Sequence, residues 1–218
     1  AAKIFAEHLS EAGITVDGDA SRAAAPSGAK ELASVSSAPL SDILSVSLKS
    51  SNNTMTEVEG RLVALQAKET ADFAGASKAV TARLRKDGFD VSGLTLLDAS
   101  GLAKGNKVPA RLLTQILAKA AGDEGGSAGR TLIADLPVAA LDGTLGNRLH
   151  DTSAAGTVRA KTGTLDQTSS LAGVVTTADG RQLAFSILAN GFAANSGSAV
   201  GAAIDNHFVA PLAACGCS

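Results

Sequence analysis

The sequence predicts an α+β fold in which helices flank an antiparallel sheet. Three observations carry this. Helical periodicity dominates the first two thirds of the chain. The texture then changes to short apolar runs around Asp179-Gly180, a strong hairpin signal. A last amphipathic stretch closes the chain. Helices, then strands, then a helix is the order of such a fold, and the strand–helix alternation of a parallel sheet is missing.

Residues 3–12 read as a helix, with Ile4, Phe5, His8, Leu9 and Ala12 on one face and Gly13 ending it. Ile14-Thr15-Val16 is predicted as a short strand, stopped by Asp17-Gly18. The Ala-, Ser-, Gly- and Pro-rich stretch 17–38 reads as loop. A helix over 40–49 aligns Leu40, Ile43, Leu44 and Ser47. The next is expected to begin near Thr54, with Thr54 and Glu57 forming a capping box and Met55, Val58, Leu62 and Leu65 an apolar stripe. Residues 76–86 form a helix closed by Gly88, and a further helix runs from Pro109 to Ala121, closed by Gly122. Strands are predicted over 157–164, 170–177 and 181–188, and a closing helix over 198–212.

The 218 residues suffice for one large domain or two small ones that bury roughly 70% of the unfolded surface. With 45% hydrophobic and 18% charged residues, the composition is globular and not disordered. No apolar run approaches the ~20 residues of a membrane-spanning helix, and no signal peptide is read at the start. A net charge of -2, scattered basic residues, no Trp, no Tyr and six Phe argue against nucleic acid as a partner. The one dense basic cluster, Arg83-Leu84-Arg85-Lys86, reads as a helix end complementing the macrodipole. Cys215 and Cys217 could bridge, pair elsewhere or stay reduced, so they leave the compartment open. No histidine or second cysteine pair accompanies them, and neither a metal nor a cofactor is expected.

Several catalytic patterns are absent. There is no G-x-S-x-G elbow and no phosphate-binding G-x-x-x-x-G-K-[ST]. His8, His150 and His207 are framed by no serine or carboxylate motif, which disfavours a Ser-His-Asp hydrolase. Two short signals remain. In Ser51-Asn52-Asn53, a turn between helices would let Ser51 and Asn53 face one cavity; taken alone, the tripeptide reads equally as a helix cap. In Lys161-Thr162-Gly163-Thr164, lysine supplies a fixed charge and Thr162 and Thr164 supply hydroxyls for a carboxylate. Gly163 leaves room for an extended substrate along the strand; taken alone, the segment reads as a strand running into a turn.

In this order the two signals resemble the second and third motifs of the penicillin-recognising serine enzymes, S-x-x-K, S-D-N and K-T-G. Longer stretches narrow the resemblance to the peptidase S13 family, the D-Ala-D-Ala carboxypeptidases and endopeptidases. Ser51-Asn52-Asn53-Thr54-Met55-Thr56-Glu57 resembles its S-N-N-x-x-A-E stretch, with Thr56 in place of the usual alanine. Asp98-Ala99-Ser100-Gly101-Leu102 with Asn106 resembles its D-G-S-G-L…N, with Ala99 replacing a glycine. Leu136-Pro137-Val138, Asp142-Gly143-Thr144-Leu145 and Arg148 resemble its L-P…D-G-T-L…R. Residues 158–165 and Leu171-Ala172-Gly173 resemble its signature strand pair. The resemblance runs from about Ala1 to Ala210.

It implies a transpeptidase-like domain, of which residues 1–218 are the C-terminal portion. The S-x-x-K nucleophile would then be supplied by an N-terminal fragment of the same precursor. Ser27-Gly28-Ala29-Lys30 fits the pattern but lies in loop-like sequence close before Ser51, whereas the family's motif opens a buried helix. It is read as a chance match. The implied partners are that fragment, peptidoglycan stem peptides ending in D-Ala-D-Ala, and β-lactams. The implied location is the bacterial envelope outside the cytoplasm. Ser51, Asn53 and Lys161 would be catalytic, and Thr162, Gly163 and Thr164 substrate-binding. Asp98, Asp142 and Arg148 are read as structural. The alternatives are a β-lactamase of the same superfamily, for which no deacylating glutamate motif is found, and a non-catalytic envelope binding module.

Overall fold

A computed structural model of the chain describes residues 2–24 and 26–216, in two units, Ala1–Ser37 and Ala38–Ser218. In the first, helix α1 (Ala2–Glu11) is largely exposed. His8 is a surface residue, its Nδ1 2.9 Å from Glu11 Oε2. The strand expected at Ile14–Val16 does not form. The Ile14 N–H turns back to the Leu9 carbonyl as part of the helix end, and among the described residues no neighbouring strand offers the three residues a ladder. The other described residues of this unit are irregular and exposed.

The second unit begins with helix α2 (Leu40–Ser50), followed by α3 (Asn53–Gln66) and α4 (Phe73–Lys86). α3 starts earlier than predicted, and its cap is Asn52, whose side chain accepts from the Met55 N–H at 3.0 Å. The Thr54–Glu57 capping box does not form. Glu57 instead reaches across to accept the N–H groups of Ser100 at 2.8 Å and Ala99 at 3.2 Å. Within this chain the stripe Val58, Leu62 and Leu65 faces outward, and the helix buries Gly60 and Ala64. Asp72 caps α4 through the Gly75 N–H, and Arg83, Arg85 and Lys86 stand in its last turn, where cations complement the carbonyl end.

The segment after α4 is folded around Asp98. Its carboxylate accepts from the N–H groups of Gly101 (2.8 Å) and Ala103 (2.6 Å) and from the Asn106 amide (2.8 Å). Burial opposes ionisation of Asp98, but these donors prevail and hold its pKa below the usual carboxylate value.

Helices α5 (Ala110–Ala121) and α6 (Gly126–Asp135) follow. Then come strands β1 (Val158–Leu165), β2 (Thr168–Thr176) and β3 (Gln182–Asn190), in antiparallel order β1-β2-β3. The Asp179-Gly180 hairpin joins β2 to β3 as predicted. Alternation along the strands divides two cores. Val158, Ala160, Leu171, Val175 and Phe185 pack with Ile204, Val209 and Ala213 of the closing segment. On the opposite face Val174 packs with Leu117 and Ala120 of α5 and Ile133 of α6. The closing helix is not continuous: α7 (Gly197–Ile204) and α8 (Ala210–Ala214) are joined by a π turn over Asp205–Val209. Asp205 takes a two-pronged ion pair from Arg148, at 2.6 and 2.8 Å, giving Arg148 the structural part expected of it. Cys215 is disulfide-bonded; Cys217 lies outside the described residues.

The outer edge of β1 is shared. Along its first half, segment 137–139 adds a short rung: Ala139 N–H donates to the Val158 carbonyl at 3.0 Å and Ala160 N–H to the Pro137 carbonyl at 2.9 Å. Pro137 has no N–H to return to Ala160, and α6 ends at Asp135 just before it, so the ladder stops there. Beyond Ala160 the edge carries no strand among the described residues.

Candidate active site

The chain places Ser51 between the end of α2 and the start of α3. Ser51 is left-handed, φ 52° and ψ 48°, a conformation that costs a non-glycine residue about 1–2 kcal/mol. The Ser47 carbonyl holds it by accepting the N–H groups of both Ser51 and Asn52, the latter at 3.1 Å. The turn lifts the Ser51 hydroxyl off the helix axis and toward the sheet. There Lys161 Nζ donates to Ser51 Oγ at 2.7 Å, closing a gap of 110 residues in sequence. Lys161 also donates to the Thr162 carbonyl at 2.9 Å. Its burial disfavours the charged form and lowers its pKa below the ordinary lysine value.

Strand alternation sorts the rest of the motif. Arg159 and Lys161 turn their peptide groups toward β2. Those of Ala160, Thr162 and Thr164 point to the outer edge, as the Ala160–Pro137 bond shows. The Thr162 hydroxyl lies 2.9 Å from that of Thr144. Thr164 is exposed beside the open edge. Gly163 faces Ser170 across the β1–β2 register, and a Cβ there would collide with the Ser170 hydroxyl. A larger residue at 163 would therefore force the Ser170 hydroxyl to another rotamer.

Asn53 is the first residue of α3 and is exposed. The turn predicted to place Ser51 and Asn53 together contains only Ser51 and Asn52, and no hydrogen bond joins Asn53 to Ser51 or Lys161 among the described residues.

Two further residues tie the halves of the site together. Lys49, two positions before Ser51, forms an ion pair with Asp142, whose other oxygen accepts the Val138 N–H at 2.8 Å. Gly143, at φ 56°, lies so close to this junction that a Cβ would meet the Lys49 carbonyl at 2.9 Å and Pro137 at 3.0 Å. Sequence reasoning quoted Asp142 and Thr144 but assigned neither to the site, and it passed over Lys49. The usable signal was the tight Asp-Gly-Thr turn, which had to approach something closely. Ser27 and Lys30, by contrast, sit in exposed irregular chain, where the Ala29 N–H closes a turn on the Pro26 carbonyl.

A profile of the D-Ala-D-Ala carboxypeptidase 3 (S13) family matches residues 1–210. A carboxypeptidase of Mycobacterium tuberculosis is 40% identical over 200 residues, 90% of this chain and 42% of that protein. Carboxypeptidase DacB of Mycolicibacterium smegmatis is 41% identical over 194 residues, 87% of this chain and 41% of that protein. Among solved structures, penicillin-binding protein 4 of Haemophilus influenzae complexed with a β-lactam superposes with a TM-score of 0.78. It is 32% identical, over 88% of this chain and 44% of that one. The chain thus spans about two fifths of the length of the curated relatives it matches. With the Ser51–Lys161 contact and the open strand edge beside it, these likenesses leave one conclusion: the chain belongs to the D-Ala-D-Ala carboxypeptidase 3 (S13) family.

Proposed function

We propose that this chain is the C-terminal part of the catalytic domain of a serine D-Ala-D-Ala carboxypeptidase, acting on peptidoglycan stem peptides in the bacterial envelope and binding β-lactams. The observation that carries the reading is the 2.7 Å contact of Lys161 with Ser51 beside an unpaired strand edge. The nucleophile belongs to an S-x-x-K segment outside this chain. Its hydroxyl oxygen bonds to the penultimate D-Ala carbonyl carbon, the C–N bond breaks, D-Ala leaves, and water then hydrolyses the ester.

Each residue has its part. Ser51 passes a proton to the departing amine, with Lys161 orienting its hydroxyl and keeping the local potential positive. Asn53, exposed at the head of α3, holds the substrate amide. Thr162 and Thr164 bind the terminal carboxylate, and Gly163 keeps the strand flat beside it. The Thr164 N–H, on the outward edge, forms an oxyanion hole with that of the absent serine; one such donor is worth about 3–4 kcal/mol of barrier.

The test is release of D-Ala from a pentapeptide ending in D-Ala-D-Ala, by this chain joined to its S-x-x-K segment. Release that is lost in Ser51→Ala supports the reading. Rapid penicillin hydrolysis in place of D-Ala release would favour a β-lactamase, and inactivity toward both would favour a binding module.

The surface supports an N-terminal companion. Val58, Leu62, Val63 and Leu65 of α3 and Leu40 and Val46 of α2 are exposed. β3 is paired on one side only among the described residues. Apolar patches and open edges of this kind drive self-association. The isolated chain is expected to form soluble aggregates in sedimentation velocity and to become monodisperse with its companion. A monomeric, cooperatively unfolding isolated chain would count against this.

A further inference from the structure

Around the Ser51 turn lies a second set of hydroxyls that the proposed chemistry does not use. Thr56, in the first turn of α3, places its Oγ1 3.0 Å from the Asn52 carbonyl and 3.2 Å from Ser47 Oγ on α2. Ser47 is fully buried, and its own Oγ lies 3.2 Å from Glu59 Oε2. The Ser47 carbonyl is the same group that accepts the N–H groups of Ser51 and Asn52. Thr56 thus grips the Ser51 turn from both sides, by the Asn52 carbonyl leaving it and by the Ser47 residue entering it.

We propose that Thr56 is a positioning residue for Ser51: its hydroxyl, bridging Ser47 and Asn52, locks the left-handed turn that aims Ser51 Oγ at Lys161. The inference rests on the proposed role of Ser51. A left-handed serine has a nearby relaxed alternative in which α2 continues, and every bond that fixes both flanks of the turn opposes that alternative. The bond from Thr56 to Asn52 alone is an ordinary hydroxyl-to-carbonyl contact within one helix turn. The link to Ser47 makes it a clamp between two helices. In the clamp Thr56 donates to the Asn52 carbonyl and accepts the single Ser47 proton; Glu59 Oε2, 3.2 Å from Ser47 Oγ, is the competing acceptor for that proton, and burial raises the Glu59 pKa.

The substitution that tests this is mild. Thr56→Ala puts in the residue that the resembling family stretch usually carries, and alanine is the better helix former, so folding is not threatened. In the chain joined to its S-x-x-K segment, Thr56→Ala is expected to lower kcat for D-Ala release about fivefold, the scale of one hydrogen bond. KM and Tm should hold, and Thr56→Ser should restore the rate. Unchanged kcat in Thr56→Ala, or a loss that Thr56→Ser does not restore, would overturn the proposal. Unchanged release by Ser51→Ala alone would instead overturn the role of Ser51, and the inference with it.

Discussion

Incubated with a fluorescent penicillin and separated under denaturing conditions, the assembled protein is expected to carry label on the S-x-x-K segment and none on this chain. The reason is chemical. A serine hydroxyl is a poor nucleophile until a positioned base takes its proton. Among the described residues the side-chain partner of Ser51 is Lys161, which already donates to it and to the Thr162 carbonyl; it is a donor there and not a base. Ser27 has Lys30 nearby in sequence, but both lie in exposed irregular chain that holds neither in place. Mass spectrometry of the labelled peptide decides between sites. Label at Ser27 would make this chain self-sufficient, and label at Ser51 would exchange the roles assigned above. A protein that takes no label on any chain would be a binding module.

Lys161→Ala is expected to slow acylation more than tenfold, by peptide and penicillin alike, since a charge-assisted contact is worth about 1.5–3 kcal/mol. Stopped-flow acylation measures it, and an unchanged rate would remove Lys161 from the site. The pH dependence follows from the sign of the shift. Folding lowers the Lys161 pKa through burial, so the ammonium loses its proton below the ordinary value of about 10.4. Activity that needs the charge should therefore fail on the alkaline side before a free lysine would titrate. Stability moves the other way. The buried charge is a cost at neutral pH, removed as pH rises through the lowered pKa toward 10.4. Tm near neutrality is thus expected to survive Lys161→Ala, which separates a site residue from a structural one.

Much of this was legible in the sequence because local signals and the fold agree. Asp179-Gly180 named its hairpin, Gly88 its helix end, and the alternating runs on either side of the hairpin their strands. Ile14–Val16 misled because β-propensity is realised only against a neighbouring strand. The Thr54–Glu57 capping box misled because two better partners competed. Asn52 caps the helix one residue before it begins, and Glu57 is drawn 42 residues along the chain to Ala99. Lys161 and Ser51 could be paired on motif grounds, yet nothing local announces the left-handed turn at Ser51 or the Lys49–Asp142 link. Both depend on contacts between distant segments. Asn53 heads α3 instead of standing in the turn, because Asn52 caps the helix one residue before it.

Pro137 gives the site its vacancy. Any other residue at 137 could donate to the Ala160 carbonyl and lengthen the rung by one hydrogen bond, while α6, ending at Asp135, bars a longer ladder. A peptide laid along this edge, as proposed above, would meet the Ala160 carbonyl and the Thr162 and Thr164 amides in strand register, so its backbone rather than its side chains would be recognised. Tolerance of varied side chains, together with sensitivity to N-methylation or ester replacement of the docking peptide, is the selectivity such an edge confers.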